Sequence, residues 1–314
     1  MIDPGGVPGV VLVALAGVYG LLALASALVW AMGRGERSGT NRELALRVRS
    51  WWWIITAFTV AIVIDRVIST VFLAFISYLA LKEYLSLIPT RRIDRAVLLW
   101  AYLAIPAQFY LAHIAWYGLF IIFIPVWMFL FFPMLMALRG ETGGFLRAVG
   151  TLSWGLVMTV FTLSHMAYLL ASGDSVNPAG GAGLLFFLVF LTQFNDVAQF
   201  VSGRLLGRRP IVPSVSPRKT WEGFLGGLFA TAATAALIGP HLTMMDGPWS
   251  ALAGAIIAVA GFLGDVTLSA VKRDLGVKDS GAMIPGHGGV LDRVDSLTYS
   301  APVFFHLLYY FFYP

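Results

Sequence analysis

The stretch WSALAGAIIAVAGFLGDVTLSAV, residues 249–271, has one charged side chain, Asp265, in an otherwise uncharged run. A helix of about 20 such residues is long enough to cross the hydrocarbon core of a membrane. The whole chain shares this character, because 59% of its 314 residues are hydrophobic and 12% are charged, against about 25% charged residues in soluble globular domains. The sequence therefore predicts an all-α polytopic integral membrane protein, and the lack of cysteine excludes disulfides and thiolate chemistry.

Apolar runs of similar length recur along the chain and predict about ten transmembrane helices. The run at 51–64 is short, so that a re-entrant pair could replace two crossings within 51–88. We divide the chain into N-terminal transmembrane helices at 1–145 and a catalytic transmembrane region at 146–314. The ten predicted spans are 7–32, 51–64, 67–88, 96–112, 114–137, 147–171, 182–203, 223–241, 249–271 and 297–313.

Basic residues are concentrated in alternate loops between these spans. The loops that begin after residues 32, 88, 137, 203 and 271 carry nearly all of the Lys and Arg, whereas SGDSVNPAGGAG (172–183) and HLTMMDGP (241–248) carry none. Because basic loops stay on the cytoplasmic side, we expect both termini outside and the polar loops 203–222 and 272–296 in the cytoplasm. We therefore predict a multi-pass protein of the cell (inner) membrane with a cytoplasmic active site.

Two acidic residues fall inside predicted spans, where charge is costly and indicates function. Asp196 lies late in the seventh span and Asp265 lies late in the ninth. Helical spacing puts Asp265, Ser269 and Lys272 on one face. The alternative is a helix end with a paired carboxylate and cations that reach the membrane surface.

The loop after the ninth span combines carboxylates, basic residues and glycines. KRDLGVKDS (272–280) is followed by PGHGGVLDRVDS (285–296), in which Asp292 and Asp295 are three residues apart and share one helix face. Glycines let backbone N–H groups approach phosphate, and Mg²⁺ binds carboxylates together with phosphate oxygens. The combination indicates a metal-bridged polyphosphate, although a plain turn and helix capping would each explain one part of it.

A second basic segment, GRLLGRRPIVPSVSPRKTWEG, occupies 203–223. We expect Ser216 to cap a helix whose first residue is Pro217. Arg218, Lys219 and Thr220 would then lie in its first turn and suit a nucleotide or phosphate. A basic loop beside anionic lipid is the competing interpretation.

These segments resemble the phosphatidate cytidylyltransferases, also called CDP-diacylglycerol synthases. SAVKRDLGVKDSGAMIPGHGGVLDRVDS (269–296) is similar to the long family signature, VSPRKTWEG (215–223) to a second motif, and NDVAQF (195–200) with its following Gly-Arg to a third. The resemblance is clear over 190–297, whereas ISYLALKEYLSL (76–87) is a faint echo. The signature residues that match are Ser269, Lys272, Arg273, Lys278, Asp279, His287, Gly288, Gly289, Asp292, Arg293 and Asp295.

The resemblance implies that CTP and phosphatidate give CDP-diacylglycerol and pyrophosphate. Both reactants are anions, so the protein must supply compensating charge and in-line positioning, and two cations held by carboxylates would do so. We expect Mg²⁺, with a second cation that need not be magnesium. The predicted catalytic residues are Asp265, Asp292, Lys272 and Arg273. The predicted metal ligands are Asp265, Asp292, Asp295 and Asp196. The predicted substrate-binding residues are Ser216, Arg218, Lys219, Ser269, Lys278, His287, Gly288, Gly289 and Arg293.

The expected partners are CTP, phosphatidate or a similar lipid phosphate, and membrane lipids, with no nucleic acid; a homodimer stays open. Many members of the family carry an aromatic residue where this chain has Gln199. A divergent enzyme that acts on another lipid phosphate or a lipid alcohol is therefore an alternative, as is a non-catalytic membrane scaffold. An ion-coupled transporter would carry its charges near the membrane midplane, whereas these concentrate at one face.

Overall fold

The protein is a bundle of long helices with one small hairpin, seen in a computed structural model that describes residues 7–33, 39–284 and 288–313. Two π-helical segments, Phe123–Met128 and Val157–Phe161, join α5 to α6 and α7 to α8, and a 3₁₀ turn, Arg92–Asp94, precedes α4. The helices are α1 Gly9–Gly33, α2 Gly39–Ile64, α3 Arg66–Leu87, α4 Arg95–His113, α5 Tyr117–Ile122, α6 Phe129–Ala137, α7 Phe145–Leu156, α8 Thr162–Val176, α9 Gly180–Leu206, α10 Trp221–Leu242, α11 Gly247–Asp274, α12 Leu291–Val294 and α13 Leu297–Phe311. The strands are β1 Pro210–Val212 and β2 Ser216–Thr220.

Nine spans among the described residues are long and apolar enough to cross a membrane. The second of them, Leu44–Ile64, is longer than the sequence suggested, and Asp65 alone separates it from α3. The Asp65 carboxylate accepts a hydrogen bond from the Val67 N–H (2.8 Å) and caps α3. Two full-length helices therefore occupy 51–88, and the fold is that of an all-α polytopic membrane protein.

The predicted tenth span forms α13, which has 15 residues and is too short to be counted among the nine. It starts deep against α11, because a Cβ built on Gly264 would lie 2.5 Å from the carbonyl of Asp295. At its other end, Phe311 and Phe312 pack on Trp249 near the start of α11. The helix therefore runs back along α11 to the end from which α11 starts.

Both described chain ends lie at one face of the bundle, which we call the terminal face. Near the C-terminus, the Tyr313 hydroxyl is 2.9 Å from Ser172 Oγ, close to the end of α8. Near the N-terminus, Pro8 lies beside Gly180, where α9 begins. We call the opposite face, at the other end of α9, the hairpin face. An even number of passes through the bundle follows from this arrangement.

Helices α9, α10 and α11 pack closely against one another. Gly223 and Gly227 of α10 face α9, and a Cβ built on Gly223 would lie 3.0 Å from the Cα of Gly203. Small residues four apart allow such close approach of membrane helices. The buried Asn195 side chain links the three helices, since its amide donates to the Ala258 carbonyl (3.3 Å) and its carbonyl accepts from Thr231 Oγ1 (3.3 Å).

The hairpin corrects one prediction from the sequence. Residues 216–220 form strand β2, antiparallel to β1, instead of the first turn of a helix. Helix α10 begins only at Trp221, and its cap is Thr220, whose Oγ1 accepts from the Gly223 N–H (3.2 Å). Strand pairing with residues 210–212 takes the place of the predicted helix cap at Ser216. It holds Arg218 and Lys219 in an extended segment.

The N-terminal helices pack on the predicted catalytic region through buried polar contacts. On α3, Ser77 Oγ donates to the Thr159 carbonyl (2.6 Å) and the Tyr84 hydroxyl donates to the Thr151 carbonyl (2.8 Å). Helix α3 also contacts α12. The proposed division of the chain near residue 145 stays a prediction.

Candidate active site

A cavity of about 180 Å³ opens among α9, β2, α10 and α11 at the hairpin face. It brings together residues of the motifs at 195–200 and 215–223 with Asp265 of α11. Its lining is Asp196, Gln199, Phe200, Arg218, Lys219, Thr220, Gly223, Phe224, Phe262 and Asp265.

Lys219 and Asp265 form an ion pair in this cavity. The Lys219 ammonium lies 2.6 Å from Asp265 Oδ2 and 4.6 Å from the centre of the Phe262 ring. The other Asp265 oxygen accepts a hydrogen bond from Ser269 Oγ (3.1 Å), as their spacing on α11 predicts. The hairpin thus places the Lys219 ammonium against the Asp265 carboxylate of the neighbouring helix α11.

Asp196 and Asp295 lie beside this pair and meet at Ser296. The Ser296 hydroxyl is 3.2 and 3.1 Å from the two oxygens of Asp196, and its N–H donates to Asp295 Oδ1 (2.8 Å). Burial raises the pKa of Asp295 well above its usual value, and the negative charges of Asp265 and Asp196 raise it further. Three acidic side chains from three different elements therefore crowd one region.

The excess negative charge and the oxygen donors of this region suit a divalent cation. Asp196, Asp265 and Asp295 are the residues that would hold it. Within the described residues, no group of three His, Asp or Glu side chains is close enough to hold a metal ion in this conformation. The fit therefore rests on donor chemistry and on the charges that raise the pKa of Asp295.

Asp292 has a different environment from the other three acids. Its Oδ1 accepts from the Lys272 ammonium (2.7 Å), and its Oδ2 accepts from the N–H groups of Ser280 (2.8 Å) and Gly289 (3.1 Å). Burial by itself raises the pKa of Asp292, but Lys272 and the two N–H groups outweigh it and hold the pKa below its usual value. Three protein donors thus engage Asp292, and its assignment as a metal ligand stays a prediction.

Several other predicted site residues lie outside the lining of this cavity. Arg273 belongs to the residues that match the family signature, 269–296, which we call the signature segment. Its Nε donates to the Val215 carbonyl of the hairpin turn (3.2 Å), and its Nη1 donates to the Val277 carbonyl of the signature segment (3.0 Å). Lys278 is exposed and Ser216 is half-buried, and neither lines the cavity. His287 lies outside the described residues.

For the two glycines of the signature that the structure describes, Gly288 and Gly289, different structural features favour glycine. Gly288 has φ +80°, a backbone conformation that favours glycine, and its carbonyl accepts from the Ile284 N–H (2.9 Å). Gly289 packs tightly against Ser280 and against Glu83 of α3. Their predicted contact with substrate phosphate stays a prediction.

Arg293 belongs to a second cavity of about 230 Å³, formed by α1, α2, α3, α9 and the signature segment. Apart from Arg293 and Gln193, nearly all of its wall is apolar. Arg293 Nε is buried, and none of the residues that the structure describes forms a hydrogen bond with it. The residues at its wall include Leu15, Val18, Trp51, Phe58, Phe72, Ile76, Phe190, Ile284, Val290, Val294 and Leu297.

Glu83 contacts the signature segment, and the sequence analysis did not single it out. It is 6% exposed and bonds to the signature segment around residues 280–291. The available signal was a lone carboxylate inside an apolar span, which indicates function by default. It lies within ISYLALKEYLSL, the faint echo of the family in the N-terminal helices.

Comparisons with known proteins agree with the motifs. The model of the cytidylyltransferase family matches residues 45–311. The chain is 45% identical to the uncharacterised protein YnbB of Escherichia coli over 300 residues, which cover 94% of this chain and 97% of that protein.

Two relatives are named phosphatidate cytidylyltransferase. That of Mycobacterium bovis is 42% identical over 127 residues, 40% of this chain and 41% of the relative. That of Haemophilus influenzae is 44% identical over 141 residues, 43% of this chain and 48% of the relative. The match therefore spans less than half the length of these two enzymes. Because the family model matches most of its length, this chain belongs to the cytidylyltransferase family.

Proposed function

We propose that the protein transfers a cytidylyl group from CTP to phosphatidate and so forms CDP-diacylglycerol and pyrophosphate. Two basic side chains of the hairpin, Arg218 and Lys219, line one cavity with Asp196 and Asp265, and Asp295 lies beside it. This juxtaposition of cations and carboxylates carries the proposal, because a reaction between two phosphates needs both kinds of group.

In the proposed reaction, an oxygen of the lipid phosphate attacks the α-phosphorus of CTP. A new P–O bond forms, the bond from the α-phosphorus to the bridging oxygen breaks, and pyrophosphate leaves. Lys219 and Arg218 neutralise the triphosphate, and Lys219 leaves Asp265 when the nucleotide enters. Mg²⁺ held by Asp196, Asp265 and Asp295 would supply further charge compensation for the attacking and leaving oxygens.

The apolar cavity beside Arg293 supports a lipid acceptor. Its wall suits acyl chains, and Arg293 Nε, which has no hydrogen-bond partner among the described residues, suits a phosphate headgroup. We propose that the acyl chains lie among α1, α2, α3 and α9 while the headgroup reaches the carboxylates. Val290 and Val294 of this wall flank Asp292 in the chain, so that the two substrates would meet across the signature segment.

We further propose that the hairpin face is cytoplasmic, that the protein lies in the inner membrane, and that both termini are outside. The alternation of basic loops supports this orientation, and the two chain ends share the terminal face. Cysteine-accessibility labelling at residues 9 and 312 tests it: reagent confined to the outside of intact cells should label both positions.

A second candidate is transfer to another lipid phosphate or a lipid alcohol. It is favoured by the near-complete match to YnbB, compared with matches to the named enzymes that cover about two-fifths of this chain. Purified protein should be given labelled CTP with phosphatidate, an isoprenoid phosphate or diacylglycerol, and the lipid products separated. A labelled lipid product that forms only with phosphatidate would support the first proposal. A product that forms only with another lipid would favour the second candidate over the first.

A further inference from the structure

The signature segment is tied to the N-terminal helices by one buried carboxylate. Glu83 lies near the end of α3 and is 6% exposed. Its Oε1 accepts from the Val290 N–H (2.9 Å), and its Oε2 accepts from the Leu291 N–H (2.8 Å) and the Ser280 hydroxyl (3.2 Å). These partners lie about 200 positions further along the chain.

Two glycines pack directly against this carboxylate. A Cβ built on Gly281 would lie 3.0 Å from Glu83 Oε1, and one built on Gly289 would overlap Oε2. The Glu83 carboxylate at this position thus packs closely on two glycines of the signature segment as well as accepting its hydrogen bonds.

Glu83 and Asp292 bind the same two parts of the chain through different donors. Asp292 accepts from the N–H groups of Ser280 and Gly289, whereas Glu83 accepts from the Ser280 hydroxyl and the next two N–H groups, those of Val290 and Leu291. The two carboxylates together therefore tie Ser280, in segment 279–284, to residues 289–291, in segment 288–291. Asp292 in turn binds Lys272, a predicted catalytic residue.

A buried carboxylate is a costly way to hold a loop unless the position of the loop matters. Its three donors are neutral, so no cation within this contact set compensates for its charge. Charge-assisted hydrogen bonds are shorter and stronger than neutral ones. They restrict the segment more tightly than an amide side chain at residue 83 would.

We propose that Glu83 is a positioning residue for cytidylyl transfer, which fixes segments 279–284 and 288–291 and through them Asp292 and Lys272. This role rests on the proposed function. Glu83 itself does not line the cavity that holds Lys219 and Asp265. It acts through the loop, and its loss lowers turnover without displacing α9, α10 or α11.

The test compares Glu83→Gln with Lys82→Gln, a change at the neighbouring, exposed position. Amide hydrogen exchange and turnover are measured on folded protein purified by size exclusion. In Glu83→Gln, exchange at Val290 and Leu291 should rise, and kcat should fall, each by about tenfold to a hundredfold for the loss of a hydrogen bond to a charged group. Peptides from α9, α10 and α11 should exchange as in wild type, and Lys82→Gln should match wild type throughout.

Ser280→Ala removes one donor and serves if Glu83→Gln does not fold. It should give a smaller fall in kcat, and the double variant should lose less than the product of the two single effects because the residues share a bond. Unchanged exchange at 288–291, or faster exchange throughout the bundle with unchanged kcat of the folded fraction, would overturn the proposal. If wild type transfers no cytidylyl group to any lipid, the proposed function fails, and the exchange data alone decide whether Glu83 holds the loop.

Discussion

Replacing Asp292 with asparagine should destabilise the protein far more than the same change at Asp265. The Lys272–Asp292 pair is 2.7 Å long, and its two side chains are 12% and 7% exposed. An asparagine amide can face Lys272 with its oxygen or accept from the N–H groups of Ser280 and Gly289, but one set of donors then meets an NH₂ group. The substitution therefore leaves a buried cation or two buried amides without their acceptor.

The magnitude follows from the burial of the pair. A lost hydrogen bond to a charged group costs about 1.5–3 kcal/mol, and breaking a buried ion pair from one side costs about 3–5 kcal/mol. We expect a loss of about 2–4 kcal/mol for Asp292→Asn, since asparagine keeps part of the contact. The Lys219–Asp265 side chains are 17% and 28% exposed, so that Asp265→Asn should cost less than about 1 kcal/mol.

The assay is thermal unfolding in detergent, followed by intrinsic fluorescence, with chelator present so that no divalent cation contributes. Asp292→Asn should lower the midpoint by roughly 4–16 °C, from a loss of about 2–4 kcal/mol and a slope of about 2–4 °C per kcal/mol. The double variant with Lys272→Met should recover part of this loss, because the unpaired cation is removed. An Asp292→Asn midpoint equal to that of wild type, together with loss of Mg²⁺ binding, would refute the reasoning. Asp292 would then serve chiefly as a metal ligand and not as a structural partner of Lys272.

The pH dependence of this pair has a definite sign. The pKa of Asp292 is lower in the folded protein than its usual value, so the pair contributes its full stability above the ordinary aspartate pKa of about 4. That contribution is lost as the pH falls through the lowered pKa. The midpoint difference between wild type and Asp292→Asn should therefore shrink in acid and stay constant near neutral pH.

Three further substitutions probe the other charges. The pKa of Asp295 is raised in the folded protein, so its contribution to stability is complete below the ordinary aspartate range and is lost as the pH rises through the raised value. Asp295→Asn should therefore unfold at a higher temperature than wild type in chelator at neutral pH. An unchanged or lower midpoint would contradict this. Lys219→Met should raise the KM for CTP by about tenfold or more, from the loss of a charged phosphate contact, and leave the thermal midpoint nearly unchanged. Arg293→Met should raise the KM for the lipid by about tenfold with no change in the KM for CTP, and equal effects on both substrates would remove Arg293 from the lipid site.

The sequence predicted the helical membrane fold because apolar composition and helix length are local properties. It also predicted that Asp265 and Ser269 share a helix face, which their 3.1 Å hydrogen bond confirms. It overestimated the ambiguity at 51–88, because α2 extends well before residue 51 and a single residue, Asp65, separates two full-length helices.

Features that depend on distant partners were not predictable in the same way. The Ser-Pro pair at 216–217 is a good local signal for a helix start, but strand pairing with residues 210–212 decides its conformation. Glu83 meets Val290 and Leu291 across about 200 residues of chain, and no local pattern indicates that contact. Helical spacing put Asp292 and Asp295 on one face, whereas each binds its own set of donors in the structure.

The most direct test of the central claim is CTP-dependent conversion of phosphatidate by the purified protein, with Mg²⁺ supplied or chelated. Wild type should be compared with Asp265→Asn and with Asp274→Asn, a control at an exposed acid of the same helix. We expect Mg²⁺-dependent CDP-diacylglycerol from wild type and Asp274→Asn, and a loss of about a hundredfold or more in Asp265→Asn. Equal product from all three proteins, or product that persists in chelator, would contradict the assignment of this carboxylate site to cytidylyl transfer.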